Sequence, residues 1–154
     1  MITYYGKQWL EACRDNLNNS EKHLKKGRKL NGIWDFRVWD GPDGKDRRAT
    51  WTFENGRCVE VAFACQKAPW KELREMERNP EHVGRFSCPY DMMMKLNKGE
   101  IGPLKALASP DYTMEGKKTI IFKMMQGLNS WNDHNAQVEC RYEFEATDDE
   151  GTAI

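Results

Sequence analysis

Apolar and polar residues alternate most regularly in the first half of the chain, and this alternation predicts three consecutive strands. Apolar side chains occupy every second position within residues 33–39, 49–53 and 59–65, as expected for strands that bury one face. The connections at residues 41–46 and 54–56 are rich in Gly, Asp and Asn, which suit tight turns. We therefore expect an antiparallel meander with one apolar set formed by Trp34, Phe36, Val38, Ala49, Trp51, Phe53, Val59, Val61, Phe63 and Cys65.

A helical period governs most of the remaining chain. Residues 5–30 carry apolar side chains about one turn apart, which predicts an amphipathic opening helix. Asp91 should cap a helix that contains three consecutive methionines, and Gly99 should end it. The further helices expected from periodicity and from Pro, Asn and Gly boundaries cover residues 68–79, 91–97, 102–109 and 118–131.

Three further strands complete the predicted order of elements. Short apolar stretches at residues 84–90 and 112–116 predict two of them. The tail alternates cleanly, which predicts an extra C-terminal strand at about 136–147. Helices and strands are thus interspersed with an early meander, which is typical of the α+β class. No linker or repeat divides the sequence, so we expect one domain over residues 1–154.

Charge and apolar content narrow the partners that the protein is expected to have. The chain has 24 Lys and Arg and 24 Asp and Glu, so its formal net charge is zero. Nucleic acid is therefore not an expected partner, because such binding relies on basic surfaces. No run of eighteen apolar residues and no signal-peptide core is present, so we expect no integral membrane association and a cytoplasmic location.

The cysteines and histidines offer little support for metal or thiol chemistry. Five cysteines form no C-x-x-C pair, and the three histidines are far apart in sequence. We therefore expect reduced thiols, no metal site and no cofactor. An enzymatic role, through Cys88, Asp91 or His82, stays open as a weaker hypothesis.

The stretch "RFSCPYDMMMKLNKGEIGPLKALASPDYTMEG" predicts a strand, a helix, a turn, a second helix and a strand, and "KKTIIFKMMQGL" after it predicts a further helix. In this order of elements, residues 10–131 resemble the sterol carrier protein 2 family of small lipid-binding domains. The segment "NKGEIGPLKAL" is similar to the family's turn "GKxxPxxAF", and "KKTIIFKMMQGL" is similar to its last helix. The chain departs from the pattern in the long segment 66–84, which could cap a tunnel mouth. It also departs at Ser109-Pro110-Asp111, where the family has Gly-Lys, and ends without a peroxisomal address.

The resemblance implies a five- to six-stranded, mainly antiparallel sheet covered on one face by helices and enclosing an apolar tunnel. It implies a hydrophobic ligand such as a sterol, a fatty acid or an acyl thioester, and a carrier or accessory role without catalysis. The ligand-binding residues that it implies are Trp34, Phe36, Trp51, Phe53, Val61, Phe63, Met92, Met93, Leu96, Leu104, Leu107, Ile121, Met124, Met125 and Leu128.

Two other hypotheses stay open at the level of the sequence. The tunnel could be filled by the protein's own side chains. The protein would then act as an interaction or dimerization module, and its partner could be a second copy of the same chain. The protein could also assist an enzyme that acts on a thioester or an aromatic substrate. In the lipid hypothesis, Tyr90, Gln126 and Asn129 are candidates for contact with a polar head group.

Overall fold

Five strands form one mixed sheet in the order β3-β2-β1-β4-β5. The computed structural model describes residues 1–144. Neighbouring strands are antiparallel except β1 and β4, which are parallel. The prediction of an α+β fold with a mainly antiparallel sheet is therefore confirmed. The strands are β1 (Gly32–Trp39), β2 (Lys45–Glu54), β3 (Arg57–Lys67), β4 (Gly84–Pro89) and β5 (Thr113–Gly116).

Two of the predicted helices are each divided into two. A new helix begins after Ser20, whose hydroxyl accepts a hydrogen bond of 3.1 Å from the His23 amide. The closing helix is interrupted at Met124, whose amide donates to the carbonyls of both Ile120 and Ile121 and so tightens the turn. The helices are α1 (Lys7–Asn18), α2 (Glu21–Lys26), α3 (Lys71–Glu75), α4 (Tyr90–Asn97), α5 (Pro103–Leu107), α6 (Lys118–Lys123) and α7 (Met125–Ala136).

A β-bulge in β3 changes the face on which one predicted core residue lies. Phe53 pairs with Cys58, whereas Thr52 pairs with Glu60, so β3 has one extra residue at this point. Val59 is that residue and is 44% exposed. The expectation that Val59 shares a face with Val61 was wrong, because a bulge shifts the two-residue period by one position.

The two faces of the sheet differ in chemistry. Trp34 and Trp51 lie on the face that packs against most of the helices, and both are buried. The opposite face carries ion pairs, including Arg48 with Asp35 at 3.0 Å. Helix α3 covers this second face, where the Arg37 guanidinium donates to the Leu73 carbonyl at 3.1 Å. The long segment 66–84 therefore covers the ionic face of the sheet.

The predicted C-terminal strand does not form within the described residues. Residue 136 ends α7, and residues 137–144 make a single parallel bridge, from Arg141 to Thr3. Tyr142 and Phe144 nevertheless pack against the core, so the alternation reflects an extended segment with one packed side. Residues 145–147 of the predicted strand lie outside the described residues.

The methionine-containing helix starts earlier than predicted. Helix α4 begins at Tyr90, directly after Pro89, and no side chain caps it. Asp91 lies in its first turn and pairs with Lys95 at 3.0 Å. A carboxylate in this turn is favourable beside the positive end of the helix dipole. The prediction of Asp91 as N-cap was therefore wrong by two positions, since Pro89 is the N-cap residue. Gly99 follows the helix end with a φ of 77°.

Candidate apolar binding site

A cavity of about 130 Å³ lies between the sheet and the helices that cover it. Strands β1, β2, β4 and β5 form one wall, and the N-terminal segment with α1, α4, α5, α6 and α7 forms the rest. Pro103 and Asn129 line the cavity and are also exposed, so the cavity reaches the surface near α5 and α7. Its lining consists of Tyr4, Tyr5, Trp9, Phe36, Trp51, Phe86, Met93, Leu96, Asn97, Pro103, Ala106, Leu107, Tyr112, Met114, Ile121, Met125, Leu128, Asn129, Trp131, Asn132 and Asn135.

The structure brings one part of the predicted ligand-binding set to this cavity. Both the sheet and the helices contribute, because inward strand positions face the apolar sides of α4 to α7. Of the three methionines in α4, Met93 lines the cavity, whereas Met92 and Met94 are half-buried beside the core. The predicted residues that line the cavity are Phe36, Trp51, Met93, Leu96, Leu107, Ile121, Met125 and Leu128.

The other predicted residues lie away from the cavity. Trp34 and Phe53 are buried in the adjacent core, and Val61 and Phe63 are half-buried on β3 near the sheet edge. Leu104 is 82% exposed, because α5 turns it to solvent while Ala106 is buried. The remaining residues of this group are Met92 and Met124, which are half-buried against the core.

The N-terminal segment supplies a wall that sequence periodicity missed. Tyr4 and Tyr5 precede the first helix and are nearly fully buried. The Tyr4 hydroxyl donates to the Met93 carbonyl at 3.1 Å. The buried Arg47 donates to the Tyr5 carbonyl at 3.2 Å and forms a two-point pair with Asp43. The aromatic pair in "MITYYG" was the only available signal for this wall.

Trp131 is the aromatic centre of the site. Its ring makes edge contacts with Phe53 at 4.7 Å, Trp51 at 5.1 Å and Phe36 at 5.4 Å between ring centroids. Edge-to-face packing of this kind is favourable because the positive ring edge meets a negative ring face. Trp131 thus joins α7 to the sheet at the wall of the cavity.

Tyrosines and asparagines supply the polar groups of the lining. Burial raises the pKa of the Tyr4, Tyr5 and Tyr112 hydroxyls, so these groups stay protonated at neutral pH. Asn97 donates to the Tyr142 hydroxyl at 2.9 Å. Of the three residues predicted to contact a head group, Asn129 lines the cavity; Gln126 is exposed and Tyr90 donates to the Tyr142 carbonyl.

The candidate catalytic residues are not assembled into one site. Cys88 is fully buried, and burial raises the pKa of its thiol to about 12. Asp91 is exposed in its pair with Lys95, and no hydrogen bond joins Cys88, Asp91 and His82 in the described structure. Residues 1–144 contain no group of three or more His, Cys, Asp or Glu side chains that could hold a metal ion. No helix in this range is long and apolar enough to cross a membrane.

Several solved structures with the same architecture are of proteins named as sterol carriers. A crystal structure of sterol carrier protein 2 matches with a TM-score of 0.70 and 16% sequence identity, over 88% of this chain and 99% of that chain. This chain has the sterol carrier protein 2 fold. The fold implied by the sequence resemblance is therefore confirmed, although no protein-family model and no curated protein sequence matches the chain.

Proteins from two named organisms have the same fold. A Thermus thermophilus protein, described as possibly a sterol carrier protein, matches with a TM-score of 0.70 and 16% identity, over 93% of this chain and 94% of its own. The apo form of sterol carrier protein 2 from Yarrowia lipolytica matches with a TM-score of 0.52 and 14% identity, over 90% and 98% of the two chains. The sterol carrier protein 2 fold is thus kept at low sequence identity.

Proposed function

We propose that this protein binds a lipid or another hydrophobic small molecule in the cavity and acts as a carrier or an accessory protein. The observation that carries the proposal is an aromatic and aliphatic cavity between the sheet and α4 to α7. The same fold occurs in proteins named as sterol carriers, which supports this use of the cavity. Such a ligand gains about 25 cal/mol for each Å² of apolar surface removed from water.

The size of the cavity indicates how a ligand would enter. Its volume of about 130 Å³ is below the roughly 300–1,000 Å³ typical of sites for drug-sized ligands. Met93 and Met125 line it, and methionine side chains adapt easily because they are unbranched and flexible. We expect a lipid to enter through the opening near Pro103 and Asn129 and to displace these methionine side chains.

The first test is the recovery of a ligand from the purified protein. Native mass spectrometry and solvent extraction should detect a hydrophobic molecule bound at close to one per chain. Protein stripped of lipid should then bind the uncharged fluorophore N-phenyl-1-naphthylamine. Protein that is always empty, and that fails to bind the fluorophore, would refute the proposal; a stable ligand-free dimer would favour the interaction module instead.

A variant that fills the cavity gives a sharper test. Met125→Trp should lower the affinity for the fluorophore at least tenfold, because the larger side chain occupies ligand space at a half-buried position. Met76→Trp is the matched control, since Met76 is 38% exposed and does not line the cavity. Fluorescence titration measures the affinity, and thermal unfolding verifies that both variants fold. Equal affinity in the two variants would mean that α7 does not line the binding site.

A further inference from the structure

We infer that the cavity selects uncharged amphiphiles that carry a hydroxyl or amide group, and that it rejects ionised fatty acids. This inference rests on the proposed function and narrows its ligand class. Three features support it: the absence of charge in the described lining, buried polar atoms that lack a partner, and a change of polarity along α7.

The first feature is a lining without charge. Among the lining residues that the structure describes, the side chains are aromatic, aliphatic or amide, and none is Lys, Arg, His, Asp or Glu. A carboxylate transferred here from water would lose its hydration without meeting a cation, which is strongly unfavourable. An alcohol or amide of the same chain length has no charge to desolvate.

The neighbouring cations do not change this conclusion. Arg47, which supports the N-terminal wall, already forms two hydrogen bonds with Asp43, at 2.9 and 2.7 Å. Lys98 follows α4 at the surface and places its ammonium 4.5 Å from the ring centroid of Tyr142. Neither residue is part of the described lining.

The second feature is a set of buried polar atoms, on residues that line the cavity, that lack a partner within residues 1–144. The indole N–H groups of Trp9 and Trp131 and the side-chain oxygen of Asn135 are buried and have no hydrogen bond within the described residues. Buried polar atoms are normally paired, because leaving them unpaired costs about 1–3 kcal/mol each. A ligand hydroxyl can donate to an amide oxygen or accept from an indole N–H, so it could pair with any one of these groups that it reaches.

The third feature is the order of residues along α7. Its lining residues are Met125 and Leu128 in the first part, Asn129 and Trp131 in the middle, and Asn132 and Asn135 at the end. At 1.5 Å per residue, the distance from Met125 to Asn135 is about 15 Å. The lining that α7 supplies is thus apolar at the start of the helix and richer in amide groups towards its end. An amphiphile would place its tail along the first part and its head group towards the end.

The experiment compares three ligands of equal chain length at pH 8: decanol, decanoate and decylammonium. Displacement of N-phenyl-1-naphthylamine gives the affinity of each for the full chain. We expect decanol to bind at least tenfold more tightly than either ion. Equal or tighter binding of decanoate would overturn the inference and leave the proposed function standing. Failure of all three ligands and of the fluorophore would instead refute the proposed function.

A reciprocal variant tests the same inference by adding the missing charge. Asn132→Arg should raise decanoate affinity about tenfold and should not raise decanol affinity, because it places a cation at a half-buried lining position towards the end of α7. Asn19→Arg, at an exposed position outside the cavity, is the control and should change neither affinity. Circular dichroism melting verifies folding. An Asn132→Arg variant that binds decanol normally without a gain in decanoate affinity would contradict the inferred selection.

Discussion

Two buried histidines form a polar cluster on the side of α7 away from the cavity. His23 Nε2 lies 2.9 Å from the Gly56 carbonyl, and its Nδ1 lies 2.9 Å from the Ser130 hydroxyl. Because a carbonyl only accepts, the neutral His23 ring carries its proton on Nε2 and accepts from Ser130 at Nδ1. His134 Nδ1 likewise donates to the Ser130 carbonyl at 2.7 Å, so its Nε2 accepts from the Ser20 hydroxyl at 2.8 Å. The cluster joins α2, α7 and the turn before β3.

This cluster predicts a loss of stability in mild acid. Burial lowers the pKa of His23, so the folded state favours the neutral ring, whereas the unfolded ring titrates near about 6.5. The stabilising contribution is therefore full above that pH and decreases as the pH falls below it, by at most about 1.4 kcal/mol per pH unit. Urea unfolding at pH 7.5 and 5.5 should show a lower midpoint at pH 5.5.

Variants separate the contribution of His23 from those of other groups. His23→Gln should be less stable at pH 7.5, and its stability should depend less on pH. Burial also lowers the pKa of His82. His82→Gln therefore shows how much of the pH dependence comes from this second histidine. Hydrogen bonds from Arg85 lower the pKa of Glu115. Burial acts to raise the pKa of Asp46, but hydrogen bonds from Arg74 and two backbone amides lower it overall, so both carboxylates stay ionised in this range. If the stability of His23→Gln depended on pH as strongly as that of the unmodified protein, His23 would not be the source of the pH dependence.

At the scale of elements, the pairing of β4 with β5 depends on one glycine. Gly116 has a φ of 131° and pairs with Gly84 at the end of the ladder. A Cβ atom at Gly116 would collide with the Val83 carbonyl and would lie 2.8 Å from the Gly84 Cα. The close approach and the positive φ therefore both require glycine here.

The expected effect of Gly116→Ala is a destabilisation of about 2–4 kcal/mol in the free energy of unfolding. Gly99→Ala is the matched control, because Gly99 also has positive φ but a Cβ there meets nothing within 4 Å. The control should lose about 1 kcal/mol through backbone strain alone. Chemical denaturation measures both changes. Similar losses in the two variants would show that contact with β4 is unimportant.

The sequence predicted best those elements that a regular apolar period within a few neighbouring residues specifies. The alternation around Trp34 and Trp51 marks two strands and the face that they bury. Helix breaks were missed at Ser20 and Met124, because the apolar period continues across each break while the backbone changes. The tail forms no strand within the described residues 137–144, since alternation specifies one packed side, but not the partner that completes a sheet.

At the scale of the whole molecule, the cavity could be predicted only in part. Period and order indicated that Met93, Ile121 and Leu128 face the interior, and all three line the cavity. The contribution of Tyr4 depends on contacts with residues far away in sequence, such as its 3.1 Å hydrogen bond to the Met93 carbonyl. No local pattern specifies such a contact, so the N-terminal wall was not predicted.

The aromatic centre of the site also gives the protein an optical readout. Trp9, Trp51 and Trp131 line the cavity, whereas Trp39 lies 5.0 Å from the guanidinium groups of Arg37 and Arg74 on the other face. Indole emission depends on the polarity around the ring, so a bound ligand should change the intrinsic fluorescence spectrum without any label.

Single replacements can assign that signal to the cavity. Trp131→Phe should remove much of the ligand-induced change while keeping an aromatic ring against Phe53 and Trp51. Trp70→Phe, outside the cavity, should leave the change intact. Emission spectra recorded during titration with decanol provide the comparison, and an equal response in the two variants would contradict the assignment. The residues that enclose the ligand would then also report its arrival, in real time and on the unmodified chain.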